Sequence, residues 1–225
     1  MAEERDLVFC IADLSGYTAL TEAHGSREAA KIVARYVELA ETALGPAVRL
    51  VERVGDELLI VAPDPAAVVE AAIRLRAAVE YEPLFPAVRA GLHAGPVLEQ
   101  GGRYFGAPIN LTARVAAHAR AGQILCTSAI AEAAEGLAGV IYRPLGEARF
   151  KNVIHPVALF EVLVGRAVVE VAFVDPVCRM QVRPEEAAGK LAYAGRAHYF
   201  CSLDCMRAFA GNPEAYGSGT PDHAP

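Results

Sequence analysis

The stretch from Leu7 to Leu20, LVFCIADLSGYTAL, constrains the fold more than any other part of the chain. Its first six residues are all apolar, so a strand here would be apolar on both faces and should lie in the middle of a sheet. Asp13 stands where this strand ends, and Ser15 and Gly16 follow as a turn. A carboxylate is better placed at the entrance of a binding site than in an apolar core. The backbone N–H groups of a glycine turn can bind an anion.

The pattern of the later segments predicts a ferredoxin-like α+β domain. A helix follows the first strand, and two further strands flank a tight turn at Gly55 and Asp56, which carries a second carboxylate. A helix capped by Asp64, another strand and a helix that begins near Pro108 come next. The order strand, helix, two strands, helix, strand is that of the split βαβ arrangement, and we expect extra strands in 140–164.

The net charge and the hydropathy of the chain argue against some kinds of partner. The net charge is −6 and there is no basic run, which argues against nucleic acid or an anionic membrane as the main partner. No segment is long and apolar enough to span a bilayer, and the start of the chain, MAEERDL, does not resemble a signal peptide. The cysteines are unevenly spaced, unlike a disulfide framework. We therefore expect a cytoplasmic protein with reduced thiols.

The sequence changes character near residue 168, which predicts a second, small domain. From there, short segments are separated by prolines and glycines, and three cysteines, Cys178, Cys201 and Cys205, fall among them. The tail after Tyr216 is rich in glycine and proline and should be disordered. We place the first domain at 1–166, the second at 167–216 and the tail at 217–225.

Two pairs of polar residues in the first domain are candidate site residues. Asp13 and Asp56 end elements that should be neighbours in the sheet, and two carboxylates from different elements are what two-metal phosphoryl chemistry needs. Taken alone, each aspartate is also an ordinary turn or cap residue. Asn110 and Arg114 lie four positions apart on a predicted helix. This spacing puts both side chains on one face, where they can reach the same ligand.

Four segments, in order, resemble the catalytic domain of class III nucleotidyl cyclases: FCIADLSGYTALTE, VERVGDELLIVAP, VRAGLHAGPV and RYFGAPINLTARVAAHARAGQILCTS. The resemblance covers about 7–164. It implies a homodimer with composite sites, where two Mg²⁺ or Mn²⁺ ions help to convert a nucleoside triphosphate to a 3′,5′-cyclic monophosphate and pyrophosphate. The alternative is a catalytically inactive cyclase fold that acts as a scaffold beside a metal-sensing second domain.

The resemblance also implies a role for each matching residue. Asp13 and Asp56 match the two metal-binding aspartates. Asn110 and Arg114 match the pair that reaches over from the opposite subunit to orient the ribose and to stabilise charge at the α-phosphate. The positions that match phosphate-binding residues are Leu14, Ser15, Gly16, Tyr17, Thr18, Arg89 and Lys151. Lys151 could equally be an ordinary solvated lysine, since the glycine expected after it is missing.

The base-reading positions depart from the commonest adenylyl pattern, which has a lysine four residues before the second metal-binding aspartate and an aspartate three residues before the later glycine. Glu52 and Arg103 stand at these positions. The two could form an ion pair, and together they offer one acceptor and one donor group to a base edge. A glutamate at the first position resembles guanylyl cyclases. One acceptor and one donor can nevertheless form hydrogen bonds with any of the bases, so GTP, ATP and the pyrimidine nucleotides all stay open as substrates.

The C-terminal segments DPVCRMQV, GRAHYFCSLDC and FAGNPEAY resemble the YHS domain, a small treble-clef-like module. The match covers about 174–216. Three converging thiolates, from Cys178, Cys201 and Cys205, would suit Zn²⁺ or Cu⁺, with His198 as a conceivable fourth ligand. The alternative is a metal-free fold in which the thiols are reduced and packed.

Overall fold

A computed structural model describes residues 3–165 and 172–217. The first range forms an eight-stranded sheet with helices on its faces, and the second forms a small module with two two-stranded sheets. The predicted domain boundary at 166–167 and the predicted tail beyond Gly217 fall outside the described residues, so both stay predictions. None of the helices in the described ranges has a stretch long and apolar enough to span a lipid bilayer.

The large sheet has the ferredoxin-like order that the sequence predicts. Its strands are β1 (Glu3–Leu14), β2 (Arg49–Val54), β3 (Glu57–Ala62), β4 (Val88–Gln100), β5 (Arg103–Phe105), β6 (Ile124–Thr127), β7 (Val140–Ala148) and β8 (Val157–Val164). Its helices are α1 (Tyr17–Ala43), α2 (Pro65–Tyr81), α3 (Ala107–His118) and α4 (Ser128–Ala133). The strand order is β2-β3-β1-β4-β6-β8-β7, and β5 pairs with β4. Because β2-β3-β1-β4 is antiparallel throughout, the predicted βαββαβ core with added strands is confirmed.

Strand β1 lies in the middle of the sheet because it is apolar on both faces. On one face, Val8, Cys10 and Ala12 belong to the largest core cluster, which also contains residues of α1 and α2. On the other face, Phe9 is fully buried against Tyr104 of β5. Burying a side chain of this size stabilises the fold by roughly 1.5–3 kcal/mol. The end of β1, where Asp13 stands, is therefore held firmly in place.

Helix α1 consists of two segments. It begins at Tyr17, directly after the turn that follows β1. The backbone at Gly25 has φ 79° and ψ 162°, which interrupts the helix. Only glycine adopts such angles readily, so this residue separates a short first segment, 17–24, from the longer second one.

Helix α3 packs closely on β4 at Gly91. A Cβ atom added to Gly91 would lie 2.1 Å from the backbone nitrogen of Ala116 in the helix. Any side chain at this position would push α3 away from the sheet. The glycine of the VRAGLHAG segment thus fixes the position of the helix that carries Asn110 and Arg114.

The C-terminal module packs against the first domain. Its elements are β9 (Phe173–Val174), β10 (Gln181–Val182), β11 (Gly189–Tyr193), β12 (Arg196–Phe200), α5 (Leu203–Gly211) and α6 (Pro213–Gly217). Gly217, the first residue of the predicted tail, is the last residue of α6. Leu20 of α1 shares one apolar cluster with Phe200 and Phe209 of the module. The backbone N–H of Gln181 also donates to the carbonyl of Phe85 at 3.0 Å.

Candidate active site and thiol cluster

The two candidate metal-binding aspartates lie side by side. Asp13 is the penultimate residue of β1, and Asp56 is at the tip of the β2–β3 hairpin. Burial, a hydrogen bond with Asp13 and the charge of Asp13 raise the pKa of the Asp56 carboxyl from 3.8 to about 7. Two carboxyl groups that repel each other in this way form a hard oxygen donor set, and this set fits Mg²⁺ or Mn²⁺.

Arg89 pairs with Asp13. The two residues are directly opposite in the β1–β4 register. Nε and Nη2 of Arg89 both donate to Oδ2 of Asp13, at 2.9 and 2.6 Å. The sequence assigns Arg89 to the phosphates, whereas the structure places its guanidinium on a candidate metal ligand. A cation bound by Asp13 would therefore compete with Arg89 for one carboxylate oxygen.

A basic cavity of about 190 Å³ lies beside the turn between β1 and α1. Its polar lining comes from Ser15, Arg89, Arg120 and Arg179, and no carboxylate is among the described residues that line it. The Oγ atom of Ser15 is buried and has no hydrogen-bond partner in the described part of the chain. Guanidinium groups and a hydroxyl are typical phosphate ligands, so the cavity can accept a phosphate group.

Residues 14–18, the predicted phosphate-binding turn, link β1 to α1. Leu14 is buried at the end of the strand, and Ser15 donates its backbone N–H to the carbonyl of Ala87 at 2.8 Å. Gly16 has a left-handed φ of 83° and precedes α1, whose first two residues are Tyr17 and Thr18. The N–H groups of a first helical turn have no acceptor within the helix. They can therefore bind an anion, whereas the N–H of Ser15 already has an acceptor.

The C-terminal module touches this turn through Arg179. A Cβ atom on Gly16 would lie 2.4 Å from the Cβ of Arg179, so the contact leaves no room for a side chain at position 16. Arg179 itself has a left-handed φ of 67°. The sequence gives no indication of this contact or of Arg120, because both depend on how distant segments pack.

The helix α3 places its candidate pair on the Asp13 side of the sheet. Ile109 of α3 packs in the same cluster as Phe9, and Asp13 points to the same face because it is an even number of residues further along β1. Asn110 is exposed and Arg114 is half-buried. Neither side chain has a hydrogen bond or ion pair with another residue of the described ranges.

The predicted base-reading residues and Lys151 are solvent-exposed. Glu52 is on β2, and Arg103 begins β5, a short strand that pairs with β4. Strands β3, β1 and β4 lie between β2 and β5, and among the described residues no ion pair joins Glu52 to Arg103. Lys151 lies in the turn after β7, without an ionic partner in the described part of the chain.

Comparison with known proteins finds a match for each of the two domains. The family model of the YHS domain matches residues 173–220. The chain is 31% identical over 164 residues to a pH-sensitive adenylate cyclase of Mycobacterium tuberculosis, covering 72% of this chain and 41% of that protein. It is 34% identical over 122 residues to an adenylate cyclase of Streptomyces griseus, covering 54% of this chain and 31% of the relative. Residues 173–220 thus match the YHS domain, and the N-terminal part of the chain, called the cyclase domain below, is similar to adenylate cyclases.

Solved structures agree on the fold of the cyclase domain. An adenylate/guanylate cyclase/hydrolase of Silicibacter pomeroyi superposes with a TM-score of 0.66 at 22% identity, over 74% of this chain and 100% of that one. An adenylyl cyclase of P. aeruginosa superposes with a TM-score of 0.63 at 20% identity, over 74% and 97%. The chain spans less than half the length of the curated relatives named above. The treble-clef description of the YHS domain stays a prediction.

The three cysteines of the YHS domain come together where it meets the cyclase domain. The Sγ atoms of Cys178 and Cys201 are 3.3 Å apart, and those of Cys201 and Cys205 are 3.7 Å apart. All three are free thiols. Hydrogen bonds with the thiols of Cys178 and Cys201 lower the pKa of Cys205. The cluster therefore favours a thiolate at Cys205, which is the form that binds metals.

The fourth polar group in this cluster is His24 of the cyclase domain. Its Nε2 atom lies 3.5 Å from the Sγ of Cys201 and 3.7 Å from that of Cys205. His198, the histidine that the sequence offers as a conceivable fourth ligand, stacks on Phe209 instead, with ring centroids 4.8 Å apart. Sequence spacing could not reveal His24, because it lies in the other domain.

Asp175 holds the cysteine-bearing segments in place. This carboxylate is fully buried; Oδ1 accepts from the N–H of Val177 at 2.9 Å, and Oδ2 accepts from the N–H of Cys201 at 2.8 Å. Burial raises the pKa of Asp175, while these backbone hydrogen bonds oppose the rise. Its role could have been suspected from the Asp-Pro pair before Cys178, because aspartate often accepts from the backbone N–H two residues later.

Proposed function

We propose that the cyclase domain converts a nucleoside triphosphate to a 3′,5′-cyclic nucleoside monophosphate and pyrophosphate. The observation that carries this proposal is the carboxyl pair of Asp13 and Asp56, which lies at the end of β1 close to the start of α1. Arg89 links this pair to the basic cavity, because it bonds to Asp13 and also lines the cavity. Paired carboxylates beside a phosphate-sized basic cavity suit phosphoryl chemistry better than a purely structural role.

Asp13 and Asp56 would hold two Mg²⁺ or Mn²⁺ ions. When bound, such ions activate the ribose 3′-hydroxyl and neutralise charge on the phosphates. Because the pKa of the Asp56 carboxyl is about 7, this group is partly protonated near neutral pH and must lose its proton before it can bind a metal ion. Asp13 must free the oxygen that Arg89 contacts. Arg89 would then turn to the phosphates, which is the role that the sequence predicts for it.

The phosphates would be bound at the start of α1. The backbone N–H groups of 16–18 and the hydroxyl of Ser15 would bind the phosphate end of the substrate, and Arg120 extends the basic lining of the cavity. Lys151 remains a candidate for the same role. Positioning and charge stabilisation are most of what phosphoryl transfer requires, so these groups account for catalysis without a protein nucleophile.

A second copy of the chain would complete the site. Asn110 and Arg114 stand on one face of α3, and in the described residues their side chains have no polar partner within the chain. In a homodimer they can reach the site of the other subunit, where Asn110 orients the ribose and Arg114 stabilises charge at the α-phosphate. The proposal therefore requires a dimer with two composite sites.

The base would be read by Glu52 and Arg103. One carboxylate and one guanidinium offer an acceptor and a donor, a combination that guanine, adenine and the pyrimidines can all match. Both side chains are exposed, so they are accessible to a ligand. The base preference of this pair is non-standard, and the substrate is GTP, ATP or a pyrimidine nucleotide.

One assay tests the activity and its alternative together. Purified protein is incubated with ATP, GTP, CTP or UTP and Mn²⁺, and cyclic monophosphates are identified by mass spectrometry. We expect one or more cyclic products from the wild type and none from Asp56→Asn. Asp204→Asn, an exposed carboxylate of the YHS domain, is the matched control and should retain activity. If no nucleotide yields a product, the cyclase fold is an inactive scaffold beside the YHS domain.

A further inference from the structure

We propose that His24, Cys178, Cys201 and Cys205 form a tetrahedral zinc site that ties the YHS domain to the cyclase domain. Three ligands come from the YHS domain and the fourth from the first segment of α1. The four ligand atoms all lie within 4.8 Å of one another. This site is separate from the aspartate pair, and its existence does not depend on the proposed cyclase activity.

The interatomic distances fit a tetrahedron around Zn²⁺. With Zn–S bonds of about 2.3 Å and Zn–N bonds of about 2.0–2.1 Å, a regular tetrahedron has S···S edges of about 3.8 Å and S···N edges of about 3.6 Å. The observed Cys201–Cys205 edge is 3.7 Å, and the two edges from His24 are 3.5 and 3.7 Å. The thiol of Cys178, 3.3 Å from that of Cys201, would have to move outward to reach the tetrahedral edge length.

The donor set selects a different ion from the one that suits the active site. Three sulfurs and one imidazole nitrogen match the composition of structural zinc sites, whereas Mg²⁺ and Mn²⁺ prefer oxygen ligands. Cys178 and Cys205 are buried, and Cys201 and His24 are half-buried. Four protein ligands in such a position fill the coordination of Zn²⁺, so the site is closed and structural rather than catalytic.

The surroundings position the ligands before any ion binds. Asp175 accepts from the N–H of Cys201 and also from that of Cys178, at 3.4 Å, so one carboxylate joins two ligand-bearing segments. The hydroxyl of Ser202 accepts from the N–H of Cys205 at 3.1 Å and caps α5. Neighbouring groups that orient metal ligands in this way raise metal affinity.

The proposed zinc site is also connected to the basic cavity beside Gly16. His24 ends the short segment 17–24 of α1, which begins at the Gly16 turn. On the YHS side, Cys178 directly precedes Arg179, which packs on Gly16 and lines the cavity. A bound ion would therefore brace two walls of the cavity at once. If the proposed cyclase activity is present, loss of the ion should weaken triphosphate binding.

Metal binding to the full chain tests the proposal without any nucleotide. Reduced, metal-free protein is titrated with Co²⁺ as a spectroscopic probe and then with Zn²⁺. We expect one Co²⁺ per chain, with the intense visible bands of tetrahedral thiolate coordination, and displacement by one Zn²⁺. His24→Gln should shift these bands and weaken Zn²⁺ binding by at least about tenfold. His198→Gln is the matched control and should change neither.

Two further measurements make the result decisive. X-ray absorption of the wild-type zinc form should show three sulfurs at about 2.3 Å and one nitrogen at about 2.0–2.1 Å, and it needs no variant to fold. Zinc should also slow amide hydrogen exchange in 17–24 in the wild type but not in His24→Gln. A His24→Gln protein with unchanged bands and affinity overturns the proposal. So does a wild type that binds no metal at its thiols.

Discussion

Arg179 of the YHS domain packs so closely on Gly16 of the cyclase domain that a Cβ at position 16 would lie 2.4 Å from the Arg179 Cβ. Both residues have left-handed backbone angles, with φ of 83° at Gly16 and 67° at Arg179. A left-handed non-glycine residue costs on the order of 1 kcal/mol or more. The rest of the fold thus holds Arg179 in an unfavourable conformation at the rim of the basic cavity.

This contact predicts an unusually large effect of Gly16→Ala. The substitution should lower the free energy of unfolding by the cost of a left-handed alanine, about 1 kcal/mol, and by a further amount because the YHS domain must move. Gly122→Ala is the matched control, since Gly122 has φ 75° and no atom within 4 Å of an added Cβ. Denaturant unfolding of the two variants should show the larger loss for Gly16→Ala.

Arg179→Gly identifies the cause of that difference. Glycine removes the clashing Cβ and accepts a left-handed backbone, so Gly16→Ala should cost no more than Gly122→Ala in the Arg179→Gly background. An equal cost of Gly16→Ala in both backgrounds would show that the Arg179 contact is not responsible.

Stability should depend on pH through Asp56. Its carboxyl has a pKa of about 7 in the fold against 3.8 ordinarily, so the folded state binds this proton more tightly than the unfolded state. The resulting stabilisation is fully present below about pH 4 and is lost as the pH rises through about 7. Asp56→Asn cannot ionise and should escape this loss. The variant should therefore be more stable than the wild type at pH 8 in metal-free buffer.

Thermal unfolding of the wild type and Asp56→Asn between pH 4.5 and 8 measures this difference. Other titrating groups, the thiol cluster among them, are common to both proteins and cancel in the comparison. Parallel stability curves would mean that the Asp56 carboxyl is not protonated in the fold and that Asp13 does not approach it closely.

Local patterns in the sequence predict the elements of the cyclase domain well. The apolar run of β1, the turn at Gly55 and Asp56, and the cap at Asp64 depend on neighbouring residues only, and the structure has all three. The ion pair of Arg89 with Asp13 depends on the β1–β4 register, which an alternating pattern does not reveal. The contacts of His24 with the cysteines and of Arg179 with Gly16 depend on how the two domains pack. No residue spacing within either domain indicates these contacts.

Binding of Mg²⁺ to the aspartate pair should release a proton near neutral pH. Below about pH 7 Asp56 is mostly protonated, so an ion must displace that proton, and the affinity should rise by up to about tenfold per pH unit before levelling off. Calorimetry at pH 6.5 in two buffers of different ionisation enthalpy measures the number of protons released. Mg²⁺ avoids the thiol cluster because it prefers oxygen ligands. An affinity that does not change between pH 6 and 8 would contradict the assignment.

Composite sites in a homodimer predict complementation between two inactive variants. Asp56→Asn removes a metal ligand, and Arg114→Ala removes the group proposed to act on the site of the other subunit, so each variant alone should lose about 100-fold or more of the activity. A heterodimer of the two has one doubly altered site and one intact site. After equal amounts exchange subunits, half of the dimers are mixed, and about a quarter of the wild-type activity should return.

The matched control mixes Asp56→Asn with Asp13→Asn. Both substitutions affect the same half of the site, so no intact site can form and the mixture should stay inactive. If the first mixture also stays inactive although subunits exchange, Asp56 and Arg114 act within one chain and the sites are not composite.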